Sequence, residues 1–219
     1  MKHIKILPTR VAELSILSSL GLIEEVATVF ETLGMGRLWR LEHYVYPRYV
    51  KEFIPTCRVT YSNPKKPIAS EGNLTFFINK RQYTKSLFQV CDMYGFTKGE
   101  SIAFPKLSSA DANAFWGKIA GGSYKSRTAK ITHIRNLVMR YVAKLISHFV
   151  YFRAVAPSVT ETEFPMLFYI VKHLLEEFAS LRGPDANVAV ILCDAFIKMK
   201  TTTAPTSASQ SLSVGAVIT

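Results

Sequence analysis

The stretch "ITHIRNLVMRYVAKLISHFVYF", residues 131–152, has the residue spacing of an amphipathic helix. At 100° per residue, seven of its apolar residues fall on one side of such a helix. These are Ile134, Val138, Tyr141, Val142, Leu145, Phe149 and Phe152. The opposite side carries His133, Arg140, Lys144 and His148. The stretch therefore predicts one helix that buries an apolar face and presents a basic face to solvent.

Arg135 breaks this pattern, because the same spacing places it among the apolar residues. An unpaired guanidinium in an apolar environment is energetically costly. We therefore expect the Arg135 side chain to be partly buried and paired with a carboxylate or with the carbonyls at a helix end.

Positive charge is concentrated around this helix. The 219-residue chain has a formal net charge of +11, and residues 112–160 contain eight Lys or Arg and no Asp or Glu. These eight are Lys118, Lys125, Arg127, Lys130, Arg135, Arg140, Lys144 and Arg153. A concentrated basic excess indicates a polyanionic partner, whereas a uniform excess would bear mainly on solubility.

Five of the eight are the candidate nucleic-acid-binding residues: Lys125, Arg127, Lys130, Arg140 and Lys144. The first three follow "GGS" at 121–123, which predicts a flexible segment, and the other two share the basic face of the helix. This arrangement is suited to contacting phosphates along a backbone without reading bases.

Elsewhere, helical spacing again dominates. "TCRVTYS" (56–62) and "NLTFFINK" (73–80) contain β-branched and aromatic residues around a connection with Pro and Gly, which predicts an antiparallel hairpin at about residues 56–79. The next stretch, residues 80–96, is predicted to be helical. The fold class is thus mainly α, a single helical domain over residues 1–200 with one small antiparallel β-hairpin. A flexible Ser/Thr/Ala-rich tail is expected at 201–219.

Helix ends are also indicated. Ser108 and Asp111 have a capping-box-like spacing, and Gly121 with Gly122 is expected to end the helix that follows them. For the helix near residue 165, either the Thr160/Glu163 pair or a cap at Thr162 satisfies the pattern.

The sequence contains no recognisable catalytic or metal-binding pattern. Cys57, Cys91 and Cys193 are far apart, so they indicate free thiols rather than a disulfide framework or a zinc knuckle. We expect no enzyme activity, no cofactor, no metal and no small-molecule substrate. The longest apolar runs are interrupted by charged residues, which predicts no membrane span. We expect an intracellular protein, cytoplasmic or nuclear, that is not secreted.

Several segments together resemble the protein encoded by the first open reading frame of Athila-type plant retrotransposons. The similar segments are "PTRVAELSILSSLGLIEEVATVFETLG" (8–34), "YPRYVKEF" (46–53), "LTFFINKRQYTKSLFQVCDMYGF" (74–96), "ANAFWGKIAGGSYKSRTAKITHIRNLVMRYVAKLISHFVYFR" (112–153) and "VTETEFPMLFYIV" (159–171). Their order and spacing carry the resemblance, which covers residues 8–180.

The resemblance implies a non-enzymatic, gag-like structural protein that self-associates and accompanies element RNA, with no catalytic residues to transfer. Two departures from the family pattern are visible. Leu137 stands where a proline is expected, which predicts a more continuous helix start. The chain also ends soon after Lys200 in a tail that does not match, which suggests a truncated remnant.

Two alternatives to a gag-like, nucleic-acid-binding protein stay open. One is a host-facing interaction module whose basic face meets an acidic protein. The other is a decayed fragment without a selected function. The sequence does not distinguish RNA from DNA or fix an oligomeric state.

Overall fold

The computed structural model describes residues 5–7, 14–32, 35–36, 45–153, 155–179, 185–202 and 211–213. Helices α1 to α9 span Leu14–Ser19, Ile23–Thr32, Pro47–Thr56, Leu87–Tyr94, Ser109–Ile119, Leu137–Leu145, Phe164–Val171, Glu176–Ala179 and Val188–Thr202. Strands β1 to β5 span Lys5–Leu7, Arg58–Tyr61, Gly72–Ile78, Arg81–Ser86 and Ser211–Ser213. The predicted fold class, mainly α with a small antiparallel β element, is confirmed.

Helices α6, α7 and α9 supply 20 of the 49 buried hydrophobic residues in the described part of the chain. Helix α6 contacts α2 and α7, whereas α9 packs against α3, α4 and β2. Seven of the eight residues of α7 are buried, as are most of those of α9. Both helices are apolar on almost every side, which is the pattern of a helix surrounded by other elements. Asn187, fully buried, accepts a hydrogen bond from the Val190 N–H in the first turn of α9.

The predicted hairpin is present, with β2 and β3 as its strands, but the sheet contains a third strand. The order is β2-β3-β4, and all neighbours are antiparallel. Residues 81–86 form β4, so the prediction of a helix over the whole of 80–96 is wrong for this part. The helix begins only at Leu87, where Ser86 and Gln89 form a reciprocal capping box. Asn79 and Lys80, both with positive φ, make the tight turn between β3 and β4.

The helix predicted at residues 131–152 is shorter than expected. Residues 131–133 form a separate 3₁₀ turn, and α6 begins at Leu137, where the Asn136 side chain accepts a hydrogen bond from the Met139 N–H. The expectation that Leu137 makes the helix start more continuous is therefore wrong. Leu137 occupies the first helical position, where the backbone N–H has no helical partner and a proline is favourable.

The C-terminal end of this helix is irregular. Residues Ile146–Val150 form a π-helical turn, and Phe152 has a φ of 51°. The Nδ1 atom of His148 lies 2.6 Å from the Arg153 carbonyl oxygen, and the Arg153 N–H donates to the Ser147 carbonyl. The chain thus turns away from the helix axis at residues 151–153, and this turn brings Arg153 to Glu163.

Both predicted ends of α5 are confirmed. The Ser108 hydroxyl oxygen accepts a hydrogen bond from the Asp111 N–H and donates to its carboxylate. Gly121 and Gly122, both with positive φ, follow the end of α5. Before α7, Thr160 and Glu163 are hydrogen-bonded to each other, whereas the alternative cap at Thr162 is not present, because Glu163 directly precedes the helix.

The two ends of the chain are only partly described. Strands β1 and β5 pair in parallel, with Ile6 opposite Leu212. Most of the predicted flexible tail at 201–219 lies outside the described residues. Within it, Thr201 and Thr202 continue α9, and residues 211–213 form β5.

Candidate nucleic-acid interface

The eight basic residues of the region 112–160 divide into two groups of four. The side chains of the first group are engaged within the protein: Lys118, Arg135, Arg140 and Arg153. The side chains of the second group make no hydrogen bond or ion pair with any described residue: Lys125, Arg127, Lys130 and Lys144. The charge map alone did not reveal this division.

Two of the engaged residues pair with carboxylates from outside the acid-free stretch. Lys118 pairs with Glu177 at the surface. Arg153 pairs with Glu163, whose side chain is 2% exposed, and its Nη1 lies 2.9 and 2.7 Å from the two carboxylate oxygens. Glu163 Oε2 also accepts a hydrogen bond from the Thr160 N–H at 2.9 Å. Arg153 therefore serves to position the chain before α7, and its charge is matched locally.

The other two engaged residues donate to backbone carbonyls. Arg135 Nη2 donates to the carbonyls of Gly117 and Lys118 at 2.9 and 3.0 Å, in the last turn of α5. The predicted pairing of Arg135 with helix-end carbonyls is confirmed, but its partial burial is wrong, because the residue is exposed. Arg135 lies before α6 rather than within it, so the helical spacing that motivated the prediction does not apply.

Arg140 is the candidate that the structure places least favourably for binding. Its Nε and Nη2 donate to the Ile134 carbonyl at 2.8 and 2.6 Å, and the residue is half-buried. The predicted basic face of the helix is reduced accordingly. On α6, only Leu137 and Lys144 are exposed, while His133 lies in the 3₁₀ turn and His148 is half-buried.

The other candidates lie on the segment 121–130, which is held by contacts rather than left free. The Tyr124 N–H donates to Asn113 Oδ1 at 2.8 Å, and the Tyr124 ring stacks on Phe164 with 3.8 Å between centroids. Ala129 is buried, and its carbonyl accepts from the Val159 N–H. Contacts on both sides therefore fix the backbone between Lys125 and Lys130. These contacts do not support the predicted flexibility of this segment.

A cleft of about 330 Å³ opens beside Lys125. Lys106, Asn113 and Glu161 contribute polar groups to its walls, and Phe164 contributes an apolar surface. Lys106 is exposed and was not among the predicted residues. It precedes Lys125 by nineteen residues in a separate loop, and only the fold brings both lysines to the same cleft. The cleft therefore brings two lysines, Lys106 and Lys125, and one carboxylate, Glu161, to the same walls.

Burial suppresses ionisation of the cysteine thiols and of the Tyr124 hydroxyl. It raises the pKa of Cys57 to about 11, and it also raises the pKa of Cys91 and Cys193. All three cysteines are free and buried. Burial likewise raises the pKa of Tyr124. Thiols held in this way are poor nucleophiles and poor metal ligands.

Two further classes of site are absent from the described residues. No group of three or more His, Cys, Asp or Glu side chains could hold a metal ion there. In the same part of the chain, no helix has the length and apolar character needed to cross a membrane.

Comparison with known proteins gives one match. A family model described as the ATHILA ORF-1 family matches residues 1–219, the whole chain. The match includes the residues after 180 and after Lys200, so the expectation of a non-matching tail is wrong. The suggestion of a truncated remnant rested on that tail and is no longer supported. No curated protein and no solved structure matches the chain.

Proposed function

The chain belongs to the ATHILA ORF-1 family and is thus retrotransposon-derived, and on this premise we propose that it is a non-enzymatic, gag-like protein that binds nucleic acid. In this proposal Lys125, Arg127, Lys130 and Lys144 contact phosphates, and Lys106 extends the surface across the cleft beside Lys125. Self-association belongs to the same proposal, because a structural protein of an element acts as an assembly.

The observation that carries the binding proposal is the set of four exposed cations without a partner among the described residues. A surface lysine or arginine usually has a carboxylate within reach, and its charge is then partly compensated. The stretch 112–160 contains no carboxylate, and Glu161, which lines the cleft beside Lys125, forms no ion pair with this lysine. Phosphate contacts by such cations release condensed counterions, which is the main source of affinity in non-specific binding.

The fixed backbone of the segment 121–130 supports the same proposal. Because contacts at Tyr124 and Ala129 hold the backbone that carries Lys125, Arg127 and Lys130, this backbone need not be ordered when a ligand binds. Less conformational entropy is then lost on binding than for a flexible segment. Phosphate contacts of this kind position a strand and carry no sequence information.

The test is the salt dependence of binding to mixed-sequence single-stranded RNA. Each lost phosphate contact lowers the slope of log K against log salt by about 0.7 on a single strand and about 0.9 on a duplex. Replacing Lys125, Arg127, Lys130 and Lys144 by Ala should therefore reduce the slope by about 2.8 on the RNA. All RNA sequences should be weakened alike.

The matched control replaces two exposed lysines outside the proposed surface, Lys65 and Lys66, by Ala. This variant should leave the slope nearly unchanged. Arg140→Ala should lower the slope by less than one full contact, because two of its N–H groups already donate to the Ile134 carbonyl. If the four-site variant is folded and has the slope of the wild type, the proposed phosphate contacts are wrong, and an acidic protein becomes the better partner for this surface.

A further inference from the structure

Strand β4 is an edge of the three-stranded sheet, since the order is β2-β3-β4. In a hairpin with a two-residue turn, the pair next to the turn exchanges both backbone hydrogen bonds, and every second pair after it does the same. Here Ile78 pairs with Arg81, so the β4 residues bonded to β3 are Arg81, Tyr83 and Lys85. The N–H and C=O groups of Gln82 and Thr84 therefore point away from the sheet.

The backbone of β3 shows the same alternation on the side that faces away from β4. The Phe77 N–H points away from β4 and donates to the Thr56 hydroxyl at 3.0 Å. Thr56 comes before the first residue of β2, so no strand pairs with β3 at this position. A side chain of α3 thus covers that edge. At β4, by contrast, no described residue hydrogen-bonds to the backbone of Gln82 or Thr84, and residues 81–85 are all exposed.

Two of the three side chains on one face of the free edge are positively charged. Arg81, Tyr83 and Lys85 project to the same face, and the Tyr83 ring stacks on Phe76 with 5.6 Å between centroids. From Gly72 to Ser86 the chain contains no carboxylate. An apolar groove of about 270 Å³, lined in part by Met93, adjoins Lys85 on this face. The edge therefore offers two backbone pairing positions, two cations and an apolar surface between and beside them.

We propose that the β4 edge binds an extended acidic segment of another protein, which adds to the sheet as a fourth strand. The side-chain period of two predicts the pattern acidic–polar–apolar–polar–acidic, with the acidic residues beside Arg81 and Lys85 and the apolar residue beside Tyr83. The pattern is the same in both directions, so it fits a parallel or an antiparallel strand. A second copy of β4 fits poorly, because antiparallel pairing about Tyr83 places Arg81 opposite Lys85.

Amide hydrogen exchange of the full chain tests the proposed pairing. The probe is the peptide Thr-Thr-Glu-Thr-Val-Thr-Glu-Thr-Thr. Near saturation it should slow exchange at Gln82 and Thr84 by roughly tenfold, because exchange then requires release of the peptide. The amides of Tyr83 and Lys85 are bonded to β3 and should change little. Binding without protection at Gln82 and Thr84 would overturn the proposal, as would protection of both amides by self-association without peptide.

Binding of the fluorescein-labelled peptide to variants tests the side-chain contribution. The double charge reversal Arg81→Glu with Lys85→Glu should weaken binding about tenfold, because two cross-strand pairs change from attractive to repulsive. The matched control, Lys65→Glu with Lys66→Glu, makes the same change in net charge elsewhere and should bind like the wild type. A peptide with Lys in place of Glu should not bind.

The backbone contribution has its own variant. Thr84→Pro removes an outward N–H and leaves the backbone hydrogen bonds to β3 in place, and proline is tolerated on an edge strand. It also removes the 3.3 Å contact between the Thr84 and Thr75 hydroxyl groups. It should abolish peptide binding without lowering the thermal unfolding midpoint greatly. Equal binding by wild type and the Arg81/Lys85 variant would overturn the proposal. The proposal would also be overturned if the wild type did not bind the peptide and the charge reversal at Arg81 and Lys85 abolished RNA binding. The edge would then serve nucleic acid.

Discussion

Replacing Glu163 by Gln isolates the charge of the most buried ion pair in the described part of the chain. The carboxylate is 2% exposed and accepts hydrogen bonds from Arg153 and from the Thr160 N–H. Glutamine has nearly the same shape and can still accept one of these bonds. It cannot balance the guanidinium, and its own NH₂ group would face the N–H groups of Arg153.

The expected cost follows from the exposure of the two partners. Removing one partner of a buried ion pair typically destabilises a protein by about 3 to 5 kcal/mol, because the other charge is left uncompensated. Arg153 keeps 25% of its side chain exposed and still donates to the Ser158 carbonyl, so we expect a cost somewhat below this range, about 2 to 4 kcal/mol. The loss should depend little on salt, because a buried pair is poorly screened.

Urea unfolding followed by circular dichroism measures this cost. The control is Glu177→Gln at the exposed pair with Lys118, which should cost less than about 1 kcal/mol. Adding Arg153→Met to Glu163→Gln should recover part of the lost stability, with a coupling of about 1 to 3 kcal/mol. If Glu163→Gln costs no more than the surface control, Arg153 is not held by Glu163. Its charge would then be available to a polyanion, like those of the four exposed cations.

Three further changes test other parts of the fold. Leu137→Pro should leave the thermal midpoint unchanged or raise stability by up to about 1 kcal/mol, because the position is the first of α6; a large loss would show that the helix begins earlier. Burial raises the pKa of Cys57 from its usual 9.0 to about 11. The unfolded thiol therefore ionises first, and the free energy of unfolding should fall as pH rises through this range. A pH series of urea titrations should show a smaller fall for Cys57→Ala. Gly99→Ala places a Cβ 2.5 Å from the Asp185 carbonyl oxygen and should cost about 1 to 3 kcal/mol in urea unfolding, whereas Gly117→Ala, with its nearest atom at 3.6 Å, should not destabilise.

The fold could be predicted wherever local chemistry was sufficient. The cap at Ser108 and the end of α5 at Gly121 are set by residues within one helical turn. Strand β4 could not be predicted, because "RQYTKS" is polar on both faces and gains its structure by pairing with β3. The same limit applies to α6. Its apolar spacing continues backwards through residues 131–136, and only the Asn136 cap and the Arg135 contacts to α5 end it there.

The candidate site shows a different limit of sequence reasoning. The excess of positive charge could be counted, but its compensation depends on contacts between distant residues. Arg153 is balanced by Glu163 ten residues later, and Lys118 by Glu177 across the fold. Lys106 joins the cleft beside Lys125 for the same reason. The sequence identified the charged region, and tertiary contacts decide which of its cations remain available.

The carbonyl contacts of Arg135 and Arg140 have a kinetic consequence. A guanidinium that donates to a neutral carbonyl keeps its full formal charge, unlike Arg153, whose charge is matched by a carboxylate. Within a Debye length of about 8 Å, these two arginines still contribute to the field felt by an approaching polyanion. In the proposed RNA complex they should therefore raise the rate of association, while the four exposed cations of the region 112–160 should determine how long the complex lasts. Removing the positive charge of Arg135 should slow the encounter with RNA and leave the dissociation rate nearly unchanged.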